Sequence, residues 1–127
     1  MPLTKIELAQ GYDVEKLITL QTVVMDCIVA CLQLPDDDRN IRLIEYPSYA
    51  FSMKKPYKVI VDITLFKGRS IESKKQLYLE LVSKVSAMLN INKESVFIVL
   101  NEVEMENWGV RGGIPANEVN MDFKIEI

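Results

Sequence analysis

The sequence has no histidine and only two cysteines in 127 residues. Without imidazole, the chain cannot build a Ser-His-Asp or Cys-His catalytic group, nor use histidine as a metal ligand. Cys27 and Cys31 stand four residues apart on one face of a predicted helix, where free cysteine is most often core. Two thiols also fall short of the four ligands of a structural zinc site. We therefore predict core packing for both cysteines, no metal site and no cofactor.

Long hydrophobic runs and a strong net charge are missing as well. No apolar run approaches the roughly 20 residues that span a bilayer. The first residues have neither the basic nor the apolar stretch of a secretory signal. The net charge of −3 disfavours nucleic acid as a partner. We expect one cytoplasmic, globular domain over residues 1–127, with neither nucleic acid nor a membrane as its partner.

The hydrophobic pattern predicts a strand, a helix and a strand, and then the same order again. The predicted strands are Leu3–Ala9, Ile41–Tyr46, Tyr57–Phe66 and Ser95–Val103, and the predicted helices are Val14–Leu34 and Ile71–Asn90. Asp13 and Ser70 are the expected N-caps of the two helices. A glycine-rich loop over 108–115 follows, and Phe123–Ile127 alternates like a short last strand.

The two halves align without a gap at an offset of 57 residues, and we interpret 2–56 and 57–113 as an internal repeat. Aligned pairs include Gly11 and Gly68, Leu20 and Leu77, Ile41 and Ile98, and Glu45 and Glu102. A helical crossover makes each unit a parallel, right-handed β-α-β motif. The expected fold is therefore α+β: a four-stranded sheet, two helices on one face and a short C-terminal strand. The uncovered, apolar sheet face predicts an oligomer.

Pro2 is the candidate base of a chain without histidine. Methionine before proline is readily removed, because the second side chain is small, and removal of Met1 leaves a secondary α-amine. An ordinary α-amine has a pKa of about 7.7–8.0. Burial and neighbouring cations lower such a pKa toward neutrality, where a general base works best. Alternatively, Pro2 only opens an edge strand, a position that tolerates proline.

Lys67 and Arg69 flank the glycine of the turn between the third strand and the second helix. The first turn of a helix offers free N–H groups and the positive end of the helix dipole. Two cations beside it would make a corner that binds a carboxylate. The alternative is that both side chains are solvated turn residues.

Four short sequence motifs occur in order along this chain. They are Pro2-Leu3-Thr4-Lys5-Ile6, Asp38-Arg39, the turn Phe66-Lys67-Gly68-Arg69-Ser70, and Asn107-Trp108-Gly109-Val110-Arg111-Gly112-Gly113. Together with the double β-α-β pattern they resemble the tautomerase superfamily over the whole chain. The length is similar to that of its malonate semialdehyde decarboxylase branch and the tautomerase relatives of that branch, rather than to that of the half-length 4-oxalocrotonate tautomerases.

The resemblance implies a homotrimer in which Pro2 is catalytic and the basic pair Lys67 and Arg69 binds the substrate carboxylate. In the decarboxylase pattern both basic positions are arginine, so Lys67 departs from it. Asp38 resembles the carboxylate that orients a water there, although a run of three aspartates is equally typical of a solvated turn. Trp108 would wall the pocket or anchor the trimer interface, and Arg111 would reach a substrate or a neighbouring subunit.

The leading hypothesis is an isomerase that interconverts the enol and keto forms of a small 2-oxo acid through Pro2. An alternative enzyme is a decarboxylase or hydratase in which Pro2 is protonated and Asp38 orients a water molecule. A non-enzymatic alternative is a trimeric binding protein that has kept the fold and lost the activity.

Overall fold

The computed structural model describes all residues from Met1 to Ile127. Its elements are β1 (Pro2–Ala9), α1 (Val14–Leu32), β2 (Ile41–Tyr46), β3 (Val59–Phe66), α2 (Ile71–Leu89), β4 (Val96–Val103), β5 (Gly109–Val110) and β6 (Ile114–Pro115). The main sheet has the order β2-β1-β3-β4, and β5 pairs with β6 in a small hairpin. β1 is parallel to β2 and β3 to β4, whereas β1 and β3 are antiparallel. The predicted α+β fold of two β-α-β units is thereby confirmed.

Both helices begin as predicted and end earlier. The Asp13 carboxylate accepts a hydrogen bond from the Lys16 N–H at 2.9 Å, and the Ser70 hydroxyl accepts one from the Ser73 N–H at 3.2 Å. Gln33 closes α1 in the left-handed region, so the prediction of a helix to Leu34 was wrong by two residues. Asn90 ends α2 in the same way, one residue sooner than predicted. A left-handed residue therefore ends each helix.

The two halves share local backbone geometry at the 57-residue offset. Gln33 and Asn90 both have a φ of 53°, and Gly11 and Gly68 have φ values of 141° and 136°. The strand registers also match, because β1 pairs with β2 as β3 pairs with β4. The helix ends, the turn glycines and the strand pairs of one half therefore correspond to those of the other.

The main core lies between one face of the sheet and the two helices. Alternate residues of β1 and β3 are fully buried there, and the helices contribute stripes at helical spacing. The largest buried members are Ile6, Leu8, Leu20, Met25, Ile28, Leu32, Ile63, Leu65, Leu77 and Leu81. Cys27 is buried and Cys31 half-buried, which agrees with core packing. No helix is long and apolar enough to cross a bilayer.

The opposite sheet face is covered only at one corner, and it is less apolar than expected. The Tyr46 hydroxyl donates to the Glu7 carboxylate, and Lys5 lies 3.8 Å from the same carboxylate. The hydrogen bond to Glu7 raises the pKa of Tyr46, with burial adding to it. At the covered corner Phe66, Trp108, Val110 and Ala116 form a second buried cluster. The C-terminal segment therefore packs where β1 begins and β3 ends.

The predicted last strand at Phe123–Ile127 does not form. The segment instead docks by its side chains and one backbone hydrogen bond, from the Ser70 N–H to the Ile127 carbonyl at 3.1 Å. Phe123 stacks on Phe66 with ring centroids 6.3 Å apart. The apolar residues that alternate along this segment are the ones that face the rest of the protein. No neighbouring strand pairs with the segment, so it forms no ladder of backbone hydrogen bonds.

Alanine at Gly68 should destabilise the protein more than alanine at Gly11. Both glycines have positive φ, so backbone strain is common to the two substitutions. A Cβ on Gly68 would stand 2.9 Å from Cγ2 of Ile125, whereas a Cβ on Gly11 meets nothing within 4 Å. We expect Gly68→Ala to lower the free energy of unfolding by about 1–3 kcal/mol more than Gly11→Ala in denaturant titrations. Equal losses, or a difference that persists in an Ile125→Ala background, would contradict docking of the tail on this turn.

Candidate active site

The chain's free α-ammonium group lies against Asp38. The nitrogen of Met1 is 2.5 Å from both carboxylate oxygens of Asp38, which also accepts a hydrogen bond from Asn40 Nδ2 at 3.1 Å. Asp38 is half-buried, while the side chain of Asp36 is 93% exposed. Of the three consecutive aspartates, Asp38 is therefore the one that contacts the N-terminus.

A cavity of about 370 Å³ opens beside this ion pair. Its walls come from the N-terminus, the loop before β2, the β5 strand and the C-terminal segment, and they are Met1, Pro35, Asp37, Asp38, Gly109, Val110, Arg111, Met121, Asp122 and Phe123. Arg111 is the only cationic side chain among them, and its Nη2 donates to the carbonyl of Asn120 at 3.2 Å. The structure thus brings together the N-terminus, Asp38 and Arg111.

Pro2 is buried at the first position of β1, where it pairs with Leu65 of β3. While Met1 is present, the nitrogen of Pro2 is a tertiary amide without a basic lone pair, and the free amine belongs to Met1. Removal of Met1 would transfer the free amine by one residue, or about 3.8 Å between consecutive Cα atoms. The new amine would stand at the start of β1, one residue from the position that contacts Asp38.

Arg69 is buried with most of its hydrogen-bonding capacity unused. It is 5% exposed, and its Nη1 donates to the Phe66 carbonyl at 3.0 Å, but Nε and Nη2 have no partner. Burial lowers the pKa of Arg69, although a guanidinium stays charged at any pH a protein tolerates. Unpaired buried N–H groups are costly, and a bound anion would satisfy them.

Phe123 stands between Arg69 and the cavity. The Arg69 guanidinium carbon lies 5.8 Å from the centre of the Phe123 ring, and the same ring lines the cavity. The Phe123 ring therefore contacts both the Arg69 guanidinium and the cavity. The sequence did not identify Phe123 as a site residue. Its segment, 123–127, alternates apolar and polar residues, and this pattern indicated only a strand.

Lys67 and Trp108 do not line this cavity. Lys67 is exposed, and its Nζ lies 3.2 Å from Glu104 Oε1. Because Arg69 is buried, the two cations do not form the expected carboxylate-binding pair. Trp108 packs edge-on against Phe66 at 5.0 Å, and its indole N–H is buried without a partner. Arg39 pairs with Asp26 and Asp36 rather than with Asp38.

The fold and the placement of the N-terminus define a class of protein. A double β-α-β sheet whose first strand opens with Pro2 is the fold that the sequence resemblance to tautomerases implied. The family model described as "Tautomerase enzyme" matches residues 38–111, more than half of the chain. The chain belongs to this tautomerase family, which confirms the resemblance found in the sequence.

Individual relatives agree with that assignment. The chain is 28% identical to "Probable tautomerase YusQ" of Bacillus subtilis over 121 residues, which is 89% of this chain and 95% of that protein. It is 38% identical to "Probable tautomerase SSP1389" of Staphylococcus saprophyticus over 53 residues, which is 42% of this chain and 87% of that one. The second relative therefore matches less than half of this chain.

Solved structures share the whole fold. The structure called "Q0 fused 4-OT wild type symmetric trimer" has a TM-score of 0.83 and 25% identity, covering 91% of this chain and 96% of that one. A malonate semialdehyde decarboxylase inhibited by 3-bromopropiolate has a TM-score of 0.81 and 20% identity, covering 94% and 98%. At 20% identity this likeness shows the fold alone.

Proposed function

We propose that this protein interconverts the enol and keto forms of a small 2-oxo acid, with the secondary amine of Pro2 as the proton carrier once Met1 is removed. The observation that carries the proposal is the position of the Met1 α-amine, one residue before Pro2, in a cavity beside Asp38 and Arg111. The neutral amine takes the proton of the enol hydroxyl, and the resulting ammonium returns a proton to the adjacent carbon. The reaction balances with this single proton and requires neither a metal nor a cofactor.

Arginines supply the binding charge for the substrate carboxylate in this proposal. Arg111 already lines the cavity, and Arg69 becomes available when the Phe123 ring moves aside. Their cationic donors also stabilise the negative charge that develops on the enolate oxygen. Lys67 has a lesser part, because it would have to leave Glu104 to approach the ligand.

Replacing Pro2 should abolish most of the turnover of phenylenolpyruvate. In Pro2→Ala, we expect kcat/KM to fall by about 10²-fold, the lower end for loss of a positioned acid–base group. The fall is expected because the ring that fixes the nitrogen at the start of β1 is gone. Pro35→Ala is the matched control, since Pro35 lines the same cavity without carrying an amine. Mass spectrometry must show that Met1 is absent from both variants, and equal rates in Pro2→Ala and the unsubstituted protein would refute the proposal.

The contact between the N-terminus and Asp38 also supports a second candidate. A carboxylate next to an amine favours its protonated form, which suits a decarboxylase or hydratase in which Pro2 is a cation. In that reaction Asp38 would orient a water, and the ammonium of Pro2 would polarise the carbonyl of a 3-oxo acid. The two candidates therefore differ in the protonation state of Pro2 at neutral pH.

Titration of the Pro2 nitrogen by ¹⁵N NMR separates the two candidates. A pKa near neutrality supports the tautomerase, and a pKa well above neutrality supports the decarboxylase or hydratase. In either case we expect Asp38→Asn to lower the pKa of the Pro2 amine, because the carboxylate beside the N-terminus is lost. Asp36→Asn removes the same charge from an exposed side chain and should leave the titration unchanged. An unaltered pKa in Asp38→Asn would remove Asp38 from the site.

We also propose that three copies assemble through the open face of the sheet. That face carries the exposed apolar side chains of Ile44 and Phe97 and has no covering helix. Structures of the same fold include fused 4-OT trimers. Sedimentation equilibrium should give three times the mass of the chain, and Phe97→Lys should shift the distribution toward monomer. A monomer at micromolar concentration in the unsubstituted protein would overturn the assembly.

A further inference from the structure

The cavity beside the N-terminus, Asp38 and Arg111, which we call the active-site cavity, has a counterpart at the other end of the repeat. Met1 and Pro2 correspond, at the 57-residue offset, to Lys58 and Val59 at the start of β3. The remaining site positions correspond as Asp38 to Ser95, Arg69 to Tyr12 and Trp108 to Phe51. The substitutions replace a carboxylate with a hydroxyl and an arginine with an aromatic ring. This end of the fold therefore keeps the shape of a site while changing its chemistry.

A cavity of about 410 Å³ exists at this counterpart position. We call this cavity the Lys58 pocket. The aromatic, thioether and cationic side chains in its walls are Tyr12, Phe51, Met53, Tyr57 and Lys58. A second cavity of about 300 Å³ shares Tyr57 and Lys58 with it and adds Lys55. Apolar walls with a few convergent polar groups, in this range of volume, are typical of small-molecule sites.

Aromatic contacts hold two walls of the Lys58 pocket in place. Phe51 stacks on Tyr46 with ring centroids 5.4 Å apart, and Tyr57 packs edge-on against Phe97 at 4.7 Å. Because these rings already contact neighbours in the protein, little side-chain freedom remains to be lost when a ligand binds. The pocket is therefore largely preformed.

The charge of the Lys58 pocket is opposite to that of the active-site cavity. None of the residues lining either cavity at this end is acidic, and Lys58 forms no ion pair. The active-site cavity, in contrast, contains Asp37, Asp38 and Asp122. An unpaired ammonium beside aromatic rings favours an anion with a flat apolar body, because charge pairing and ring stacking then act together.

We propose that the Lys58 pocket binds a small carboxylate that carries an aromatic ring, and that it binds this ligand without converting it. The start of β3 lies within the chain, so the nitrogen equivalent to the Pro2 amine is a peptide amide. The Lys58 N–H itself donates to the Ser95 carbonyl at 2.8 Å, which leaves the side-chain ammonium as the anchor for the anion. This inference concerns binding alone and stands whether or not Pro2 acts as a tautomerase.

The probe for this site is 3-phenylpropanoate, which has an aromatic ring and a carboxylate but no oxo group to tautomerise. In ¹H–¹⁵N NMR titrations of the full chain, we expect saturable shifts at Gly11, Tyr12 and Lys58. Lys58→Gln should weaken binding at these residues at least fivefold, because the charged partner of the carboxylate is lost. The uncharged 3-phenylpropanamide should bind the unsubstituted protein at least fivefold more weakly than the acid.

Lys75→Gln is the matched control, because it removes the same charge from an exposed position of α2 that lines neither cavity. It should leave the dissociation constant unchanged. Shifts confined to Gly109 and Arg111 would place the probe only in the active-site cavity and would overturn the proposal. Equal weakening by Lys58→Gln and Lys75→Gln would do the same, since it would reduce the effect to overall charge.

Discussion

The antiparallel pairing of β1 with β3 places the beginning of each strand beside the end of the other. Pro2 pairs with Leu65 at one end, and Leu8 pairs with Val59 at the other. Each strand end leads into a turn and a helix, so each end of the pair combines a strand start with a helix start. The active-site cavity and the Lys58 pocket are the two products of this one arrangement. A shift of the register by one residue would move the buried side chains of β1 to the wrong face and would dismantle both ends.

The two ends differ because only one strand start coincides with the chain terminus. Once Met1 is removed, a free α-amine would exist at Pro2 but not at its counterpart Val59, so we propose proton transfer at one end and binding alone at the other. The buried charge on Arg69 fits the same division. It has two nitrogens without a hydrogen-bond partner and lies next to Phe123, whereas its counterpart Tyr12 has no charge to satisfy. In the proposed catalysis, the carboxylate of the substrate would therefore pair with the buried charge of Arg69, which has no anionic partner in the free protein.

Much of the fold could be predicted from the sequence because it depends on local chemistry. The N-caps at Asp13 and Ser70 and the apolar runs of the strands were readable from residue type and spacing alone. The helix ends were less readable, since Gln33 gives no glycine-like signal for a left-handed residue. The C-terminal segment was misread because a strand needs a partner with free backbone groups, which periodicity cannot report.

The site was less accessible to sequence reasoning than the fold. Roles for Pro2 and Asp38 were suggested by residue type and by resemblance, but residue type could not show that Asp38 contacts the N-terminus. The opposite orientations of Lys67 and Arg69 depend on tertiary contacts, one with Glu104 and the other with the tail. Two neighbouring cations in a turn give no indication of which one is buried.

The central claim is that catalysis begins only when the free amine passes from Met1 to Pro2. The most direct test is to prepare the chain with Met1 retained, remove Met1 in steps with a methionine aminopeptidase, and follow both mass and enol–keto turnover of phenylenolpyruvate. The account predicts that activity rises in proportion to the fraction of chains that begin at Pro2. Full activity in the chain that retains Met1 would contradict it.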